Sequence, residues 1–280
     1  MNKIAIVTDS AASLPEQVIS KLGIKVVAMN INLGDQSLRE GLDMSSTELY
    51  ELLRRGEMPT TSQPAPGEFL EVFRPLVEVG QQVLAVFVTG KASGTVQSAR
   101  IAADMLPEGS VHVFDSESFG MGTGLLTIAA AEAALAGHPV EEIVHLLERL
   151  RSVTRIYAAL PTLKYLQKSG RVNMTQALLG KVLNIKPILG TEDGLVNVVE
   201  KARSWQGAIS KMIEIAKEGA GGRPVVVAVQ HGADPEAAEQ VLAKVQAELI
   251  VRHHYVSEVS ASLSMHGGPG MIGLALHPVE

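Results

Sequence analysis

The chain has 280 residues, of which 46% are apolar and 19% charged, a globular composition with ample material for a core. Its formal net charge is -6 and its 24 Lys and Arg residues are scattered, which argues against a nucleic-acid surface. It contains no cysteine, which excludes a disulfide framework and a zinc-thiolate site.

The first predicted element is a short strand over residues 4–7. It is too short for the apolar region of a signal peptide, and Thr8, Asp9 and Ser10 follow it at once. Nowhere does the sequence approach the roughly 18 consecutive apolar residues that a membrane-spanning helix needs. We therefore expect a cytoplasmic protein without a membrane span.

The rest of the first half alternates short β-branched runs with helical periodicity, a pattern typical of parallel strands joined by crossover helices. Capping boxes predict helix starts at Ser13-Leu14-Pro15-Glu16 and at Ser45-Ser46-Thr47-Glu48. Further strands are predicted over residues 24–29, 83–88 and 111–114, and further helices over residues 66–79, 95–105, 125–136 and 139–150.

The order of elements changes after about residue 155. Residues 185–189 and 196–199 predict a hairpin across Thr191-Glu192-Asp193-Gly194, and Asp234-Pro235 predicts a capped helix. We therefore predict two domains that share a cleft: a Rossmann-like α/β/α domain with a parallel sheet over residues 1–155, and an α+β domain with a mixed sheet over residues 156–280. Other strands of the second half are predicted over residues 156–160, 225–229, 250–259 and 272–276.

Hydroxyl side chains stand just beyond strand ends in the first half. In an open parallel sheet, ligands bind outside the carboxyl ends of the strands, so these loops are expected to converge on one site. Helix capping is the better explanation of each loop when that loop is taken alone. The loops around Thr61 and Ser93 hold more hydroxyls than capping needs, and Gly94 allows close approach of a ligand. The four groups are Thr8-Asp9-Ser10, Thr60-Thr61-Ser62, Ser93-Gly94-Thr95 and Asp115-Ser116.

A single carboxylate is the ligand group that suits these donors best. The sequence has no Gly-x-x-x-x-Gly-Lys-Ser/Thr phosphate loop. The segment Gly120-Met121-Gly122-Thr123-Gly124 lacks the correctly spaced third glycine of the dinucleotide fingerprint Gly-x-Gly-x-x-Gly. Neutral hydroxyls and a helix N-terminus can hold a carboxylate without a strong countercharge. An attached hydrocarbon chain would supply most of the affinity, at roughly 0.8 kcal/mol per buried methylene.

A serine esterase that uses Ser93 with His266 and Asp9 or Asp115 is the alternative enzymatic hypothesis. Against it, Gly90-Lys91-Ala92-Ser93-Gly94 is not the Gly-x-Ser-x-Gly nucleophile motif. His266 lies in a glycine-rich segment, His266-Gly267-Gly268-Pro269-Gly270, which predicts a turn before the last strand. The histidine spacing matches no metal motif, so no metal is expected.

Taken in order, six motifs resemble the series found in the DegV family, and the resemblance spans residues 3–279 as one unit. They are Thr8-Asp9-Ser10, Thr61-Ser62-Gln63-Pro64, Ser93-Gly94-Thr95, Asp115-Ser116, Gly170-Arg171 and His266-Gly267-Gly268-Pro269-Gly270. The resemblance implies a bacterial two-domain protein that binds a long-chain fatty acid such as palmitate, with a lipid pocket in the second domain. The implied head-group residues are Thr61, Ser93, Ser62, Gly94, Thr95 and His266.

The same resemblance implies a carrier rather than an enzyme, with no cofactor besides the bound fatty acid. A separate ATP-dependent fatty acid kinase would phosphorylate the carboxylate that this chain presents, which places it in lipid transport or phospholipid metabolism. Arg171 and Arg203 match positions near the docking or phosphotransfer surface. The chain departs from the family pattern at Ala65, Ala92, Val96 and Ser169, which leaves the hydroxyl pair intact.

Overall fold

The computed structural model describes residues 3–169 and 185–279. The strands are β1 (Ile4–Asp9), β2 (Lys25–Val27), β3 (Asn30–Leu33), β4 (Gln36–Arg39), β5 (Thr60–Ser62), β6 (Gln82–Phe87), β7 (Val111–Asp115), β8 (Arg155–Ala159), β9 (Lys186–Glu192), β10 (Leu195–Ala202), β11 (Val225–His231), β12 (Val251–Glu258) and β13 (Ile272–Pro278). The helices are α1 (Glu16–Leu22), α2 (Ser46–Arg55), α3 (Pro66–Glu78), α4 (Thr95–Ala103), α5 (Met121–Leu135), α6 (Val140–Val153), α7 (Lys164–Ser169), α8 (Trp205–Ala220), α9 (Pro235–Glu248) and α10 (Ala261–Gly267).

The first half contains the predicted parallel sheet, with the strand order β2-β1-β6-β7. Helices α3 and α4 cover one face, and α5 and α6 cover the other. On α3, Phe69 and Phe73 are four residues apart and fully buried, so they form one apolar face. The ring of Phe69 meets that of Phe87 edge-on at 5.2 Å, which fixes the helix against β6. The α/β/α arrangement confirms the prediction.

Only one of the two predicted capping boxes forms. The Ser45 side chain accepts from the amide of Glu48, and the Glu48 carboxylate accepts from the amide of Ser45 at 2.8 Å. Ser13 was the wrong choice of cap, because α1 begins after Pro15 and Ser13 has a left-handed backbone with a φ of 54°. Its hydroxyl accepts instead from the distant amide of Ser260, at 3.0 Å.

A small antiparallel sheet, in the order β4-β3-β5, extends from the first half and was not predicted. Its strands have three or four residues and mostly polar side chains, which give little strand signal. Ile31 of β3 is fully buried against α2 and against Met265 of α10. The sheet therefore brings Thr61 on β5 towards the second half of the chain.

The second half forms a mixed sheet in the order β10-β9-β8-β13-β11-β12. The predicted hairpin is confirmed, with Asp193 and Gly194 both at positive φ in its turn. Asp234 caps α9, as predicted, by accepting from the amide of Ala237 at 3.0 Å. Helices α8 and α9 cover one face of this sheet. The other face is turned towards the first half.

Helix α5 lies between the two sheets and packs against both. Residues 121–128 of this helix are all buried, as expected for a helix segment enclosed on all sides, and Glu132 near its end is exposed. Strands of the parallel sheet end by residue 115 and strands of the mixed sheet begin at Arg155. The division at residues 155 and 156 stays a prediction. Within residues 3–169 and 185–279, no helix has the length and apolarity to cross a membrane.

Candidate functional site

A largely apolar cavity lies between the parallel sheet and the mixed sheet. The space between its walls is about 870 Å³, part of which is open to solvent. One wall is the open face of the mixed sheet, with Ile156, Ala158 and Leu160 at its centre. The described residues that line the cavity include no Lys, Arg, Asp or Glu. Its polar lining residues are Thr61, Thr89, Ser93, Gln230, Ser262 and His266.

The structure brings Thr61 and Ser93 to the same cavity. Ser93 precedes the first turn of α4, where its hydroxyl accepts from the amide of Thr95 at 3.3 Å. It also shares a hydrogen bond with the hydroxyl of Thr95, at 2.8 Å. Thr95 itself is fully buried and lies behind Ser93, in contact with the sulfur of Met29 at 3.6 Å. Thr95 therefore orients the Ser93 hydroxyl and does not line the cavity.

His266 reaches the cavity from a helix. The predicted turn forms only after Gly267, with Gly268 and Gly270 at positive φ, so His266 itself lies outside it. It lies in the last turn of α10, whose N-cap is Ser260. The Ser260 hydroxyl accepts from the amide of Leu263 at 3.4 Å. The same short helix also presents Ser262 to the cavity, a residue that the sequence did not single out.

Other predicted site residues lie elsewhere. The Ser62 hydroxyl accepts from the side-chain amide of Asn32 at 3.2 Å, on the small sheet. A Cβ on Gly94 would come within 2.9 Å of the Gln63 side chain, so Gly94 makes room for this packing and does not line the cavity. Arg203 is exposed between β10 and α8. Arg171 lies outside the described residues.

The predicted loop at Asp115-Ser116 does not reach the cavity either. The Ser116 hydroxyl shares a hydrogen bond of 2.8 Å with that of Thr123 on α5. It faces a separate polar crevice whose lining includes Arg151 and Asp193. The expected convergence therefore holds for Thr61 and Ser93. Thr61 lies within β5, paired with Ile31, and not in a loop beyond a strand end as predicted. The loop at Asp115-Ser116 serves another surface.

Glu40 is a buried acid behind the cavity wall that the sequence did not reveal. Its side chain accepts from the Ser10 hydroxyl, from the amide of Ser262 at 2.8 Å and from the hydroxyl of Ser262 at 2.8 Å. Burial raises the pKa of Glu40, although these donors lower it in part. The carboxyl joins the first strands to the start of α10, and so fixes the helix that carries Ser262 and His266.

Asp9 is a second buried acid close to Glu40. Its Oδ2 accepts from the amide of Val88 at 2.9 Å. Burial, together with the nearby charge of Glu40, raises the pKa of Asp9 to about 7. Val88, whose amide donates to Asp9, and Ala11, two residues after Asp9, both line the cavity. Two titratable groups therefore lie directly behind the wall that Ala11 and Val88 form.

The contacts of the two candidate acids do not resemble an esterase triad. Asp9 is bonded to the Val88 amide, and the carboxylate of Asp115 accepts from the amide of Gly90 at 3.1 Å. The Ser93 hydroxyl pairs with Thr95, as described above. Among the described residues, no group of three or more His, Cys, Asp and Glu is placed to hold a metal ion.

Comparison with known proteins shows where this fold recurs. A family profile described as "Uncharacterised protein, DegV family" matches residues 3–279. A DegV domain-containing protein of Caldanaerobacter subterraneus is 38% identical over 275 residues, which are 98% of each chain.

Solved structures give the same result. A DegV family protein from Thermus thermophilus, reported for its fatty acid binding, has a TM-score of 0.91 at 33% identity, covering 99% of this chain and 100% of its own. DegV from Bacillus subtilis, a fatty acid binding protein, has a TM-score of 0.90 at 30% identity, with 100% of each chain covered. These likenesses confirm the predicted two-domain fold class. The chain belongs to the DegV family.

Proposed function

We propose that this chain binds a long-chain fatty acid such as palmitate in the cavity between its sheets, with the carboxylate at Thr61, Ser93 and His266. The observation that carries the proposal is an apolar cavity with hydroxyls and one histidine, and with no charged lining among the described residues. Such a site suits a ligand with one weakly charged head group and a long apolar tail. Relatives that are themselves fatty acid binding proteins share the fold.

The hydroxyl network supports the head-group assignment. Because the Ser93 oxygen accepts from the Thr95 amide, its own proton is directed at a ligand when the Thr95 hydroxyl donates to Ser93 instead of to the sulfur of Met29. Hydrogen bonds to a carboxylate are stronger than neutral ones. The tail would lie along the mixed-sheet wall, where Ile156, Ala158 and Leu160 exclude water.

Replacing Ser93 with alanine, or Thr61 with valine, should weaken fatty acid retention roughly 10- to 100-fold, because each change removes about 1.5–3 kcal/mol of hydrogen bonding to charge. Lipid extraction and mass spectrometry of the purified protein measure what co-purifies, and titration of delipidated protein gives the affinities. Ser210→Ala, on the exposed surface of α8, is the matched control. The proposal is wrong if no fatty acid co-purifies and none binds when added.

We further propose that the chain catalyses no reaction itself and presents the carboxylate to an ATP-dependent kinase, which forms an acyl phosphate. The absence of a triad among the contacts of Ser93, Asp9 and Asp115 supports a carrier rather than an esterase. Arg203 is exposed and next to the N-cap of α8, so a partner protein can reach it. Arg171 is assigned to the same surface by family resemblance alone.

In a reaction with the fatty acid, ATP and a bacterial fatty acid kinase, Arg203→Ala should lower the rate of acyl-phosphate formation at least about tenfold, since it removes a charged contact worth roughly 1.5–3 kcal/mol. Fatty acid affinity should stay at the wild-type value. Arg223→Ala, a change of another arginine in the second half, is the control. If the kinase phosphorylates the fatty acid held by Arg203→Ala at the wild-type rate, Arg203 is not part of the partner surface. Turnover of a chromogenic ester that depends on Ser93 would favour the esterase.

A further inference from the structure

Gln230 is a polar residue within the apolar wall that the mixed sheet forms. It is 2% exposed, lies on β11 and lines the cavity. Its Oε1 accepts from the amide of Met121, the first residue of α5, at 2.8 Å. This bond sets the orientation of the carboxamide, because the reverse orientation would place two donors against each other. The side-chain NH₂ group is therefore directed away from the start of α5.

The Nε2 atom of Gln230 is buried and has no hydrogen-bond partner among the described residues. In proteins, the large majority of buried side-chain donors have a hydrogen-bond partner, and each exception calls for an explanation. Apolar side chains of similar length, such as methionine or leucine, would fill the same space without leaving a donor unpaired. The unpaired NH₂ group in a ligand cavity therefore points to an acceptor on the ligand.

Gly120 makes room for the carboxamide, and Gly273 lies beside it. Gly120 has a φ of +53°, and a Cβ there would come within 2.5 Å of Gln230 Oε1. Gly273, which is opposite Gln230 on β13, would place a Cβ 3.4 Å from the same oxygen. A side chain at residue 120 would clash with the Oε1 atom of Gln230, whereas the distance at residue 273 is an ordinary van der Waals contact. The carboxamide is thus closely fitted on the oxygen side, whereas its nitrogen has been left unpaired.

Hydrocarbon cannot accept a hydrogen bond, and a buried water needs two to four polar partners. The neighbouring lining residues Phe119, Ile156 and Ala158 supply no polar side chain for such a water. The face of a double bond is only a weak acceptor. An oxygen on the acyl chain is the group that would satisfy this donor.

We propose that Gln230 is a specificity-determining residue that donates from Nε2 to an oxygen on the acyl chain, so that the cavity prefers hydroxylated fatty acids to unsubstituted ones. This inference rests on the proposed function and adds a substrate class to it. The carboxylate head group binds at Thr61 and Ser93, and the hydroxyl of the chain binds at Gln230. Preference depends on where the hydroxyl lies along the chain, because only a limited stretch of carbon atoms passes the carboxamide.

The test is titration of delipidated full-length protein with octadecanoate, with cis-9-octadecenoate and with a series of octadecanoates hydroxylated at single positions from C2 to C17. For the wild type we expect one or two neighbouring hydroxyl positions to bind about tenfold tighter than octadecanoate, the effect of one hydrogen bond to an otherwise unpaired donor. Gln230→Met should reduce this ratio to about one. Gln246→Met, the same change on the exposed surface of α9, should retain the wild-type ratio.

Thermal melting of each variant shows whether it is folded, and if Gln230→Met is not, the wild-type positional series decides by itself. The inference is overturned if fatty acids bind but no hydroxylated position binds more tightly than octadecanoate. It is also overturned if Gln230→Met is folded and keeps the preference, or if only the unsaturated chain is preferred. If no fatty acid binds at all, the proposed function fails, an outcome distinct from the failure of this specificity.

Discussion

Replacing Glu40 with leucine is expected to lower the free energy of unfolding by about 3–5 kcal/mol, a large part of the total stability of a typical domain. The change removes the acceptor for the Ser10 hydroxyl and for both the amide and the hydroxyl of Ser262. Each buried donor left unpaired costs roughly 1–3 kcal/mol. Fatty acid retention should fall as well, because Glu40 fixes the start of α10, the helix that places His266 at the cavity.

Urea denaturation of the wild type and Glu40→Leu measures this loss. Glu40→Gln keeps a side-chain oxygen for the Ser262 amide and should lose less than half as much stability. Glu57→Leu makes the same change at an exposed position and should stay within about 0.5 kcal/mol of the wild type. If Glu40→Leu is as stable as Glu57→Leu, the Glu40 carboxyl does not hold the first strands and the start of α10 together.

The same pair of acids predicts how stability depends on pH. Burial raises the pKa of Asp9 from 3.8 to about 7 and raises that of Glu40 from 4.5. The folded chain therefore binds more protons than the unfolded chain between about pH 4 and pH 7, and stability falls as the pH rises through this window. Glu40→Gln removes one of the two acids, and also a charge that raises the pKa of Asp9. The stability of Glu40→Gln should therefore fall less than that of the wild type between about pH 4 and pH 7.

Local patterns predicted the larger elements but not the contacts between distant residues. Ser45 and Ser13 have the same capping pattern, and only Ser45 acts as a cap. The hydroxyl of Ser13 is bonded to the amide of Ser260, and no local sequence rule can anticipate a contact across almost the whole chain. Helix α5 also begins four residues before its predicted start. The carboxamide of Gln230 accepts from the amide of Met121 there, so Gly122 and Gly124 can be helical.

At the site, the sequence predicted Ser93 because it comes after a strongly apolar strand. Ser93 follows β6, whose residues from Val83 to Phe87 are fully buried, and such a strand is easily recognised. Glu40 follows β4, a four-residue strand at the edge of the small sheet, where no periodicity marks a buried acid. Its role depends on Ser262, which is 222 residues away along the chain. The roles of Thr61 and Ser93 in binding stay predictions.

Replacing Ala158 with phenylalanine is expected to reduce fatty acid retention about 100-fold while the protein remains folded. Ala158 is on β8 and its side chain lines the cavity, so a phenyl ring there would occupy space proposed for the tail. Exclusion of about four methylenes, at roughly 0.8 kcal/mol each, accounts for a loss of this size. Lipid mass spectrometry and titration with palmitate measure retention, and thermal melting measures stability.

Ala159→Phe is the matched control, because successive side chains of a strand point to opposite faces of the sheet. Ala159 is fully buried on the other face, in the core formed with α8. Overpacking there should destabilise the fold by about 1–3 kcal/mol, and folded Ala159→Phe should retain fatty acid. Comparing the two variants therefore distinguishes an effect of filling the cavity from an effect of destabilising the fold. If folded Ala158→Phe retains palmitate as well as the wild type does, the acyl chain does not lie along this wall of the mixed sheet.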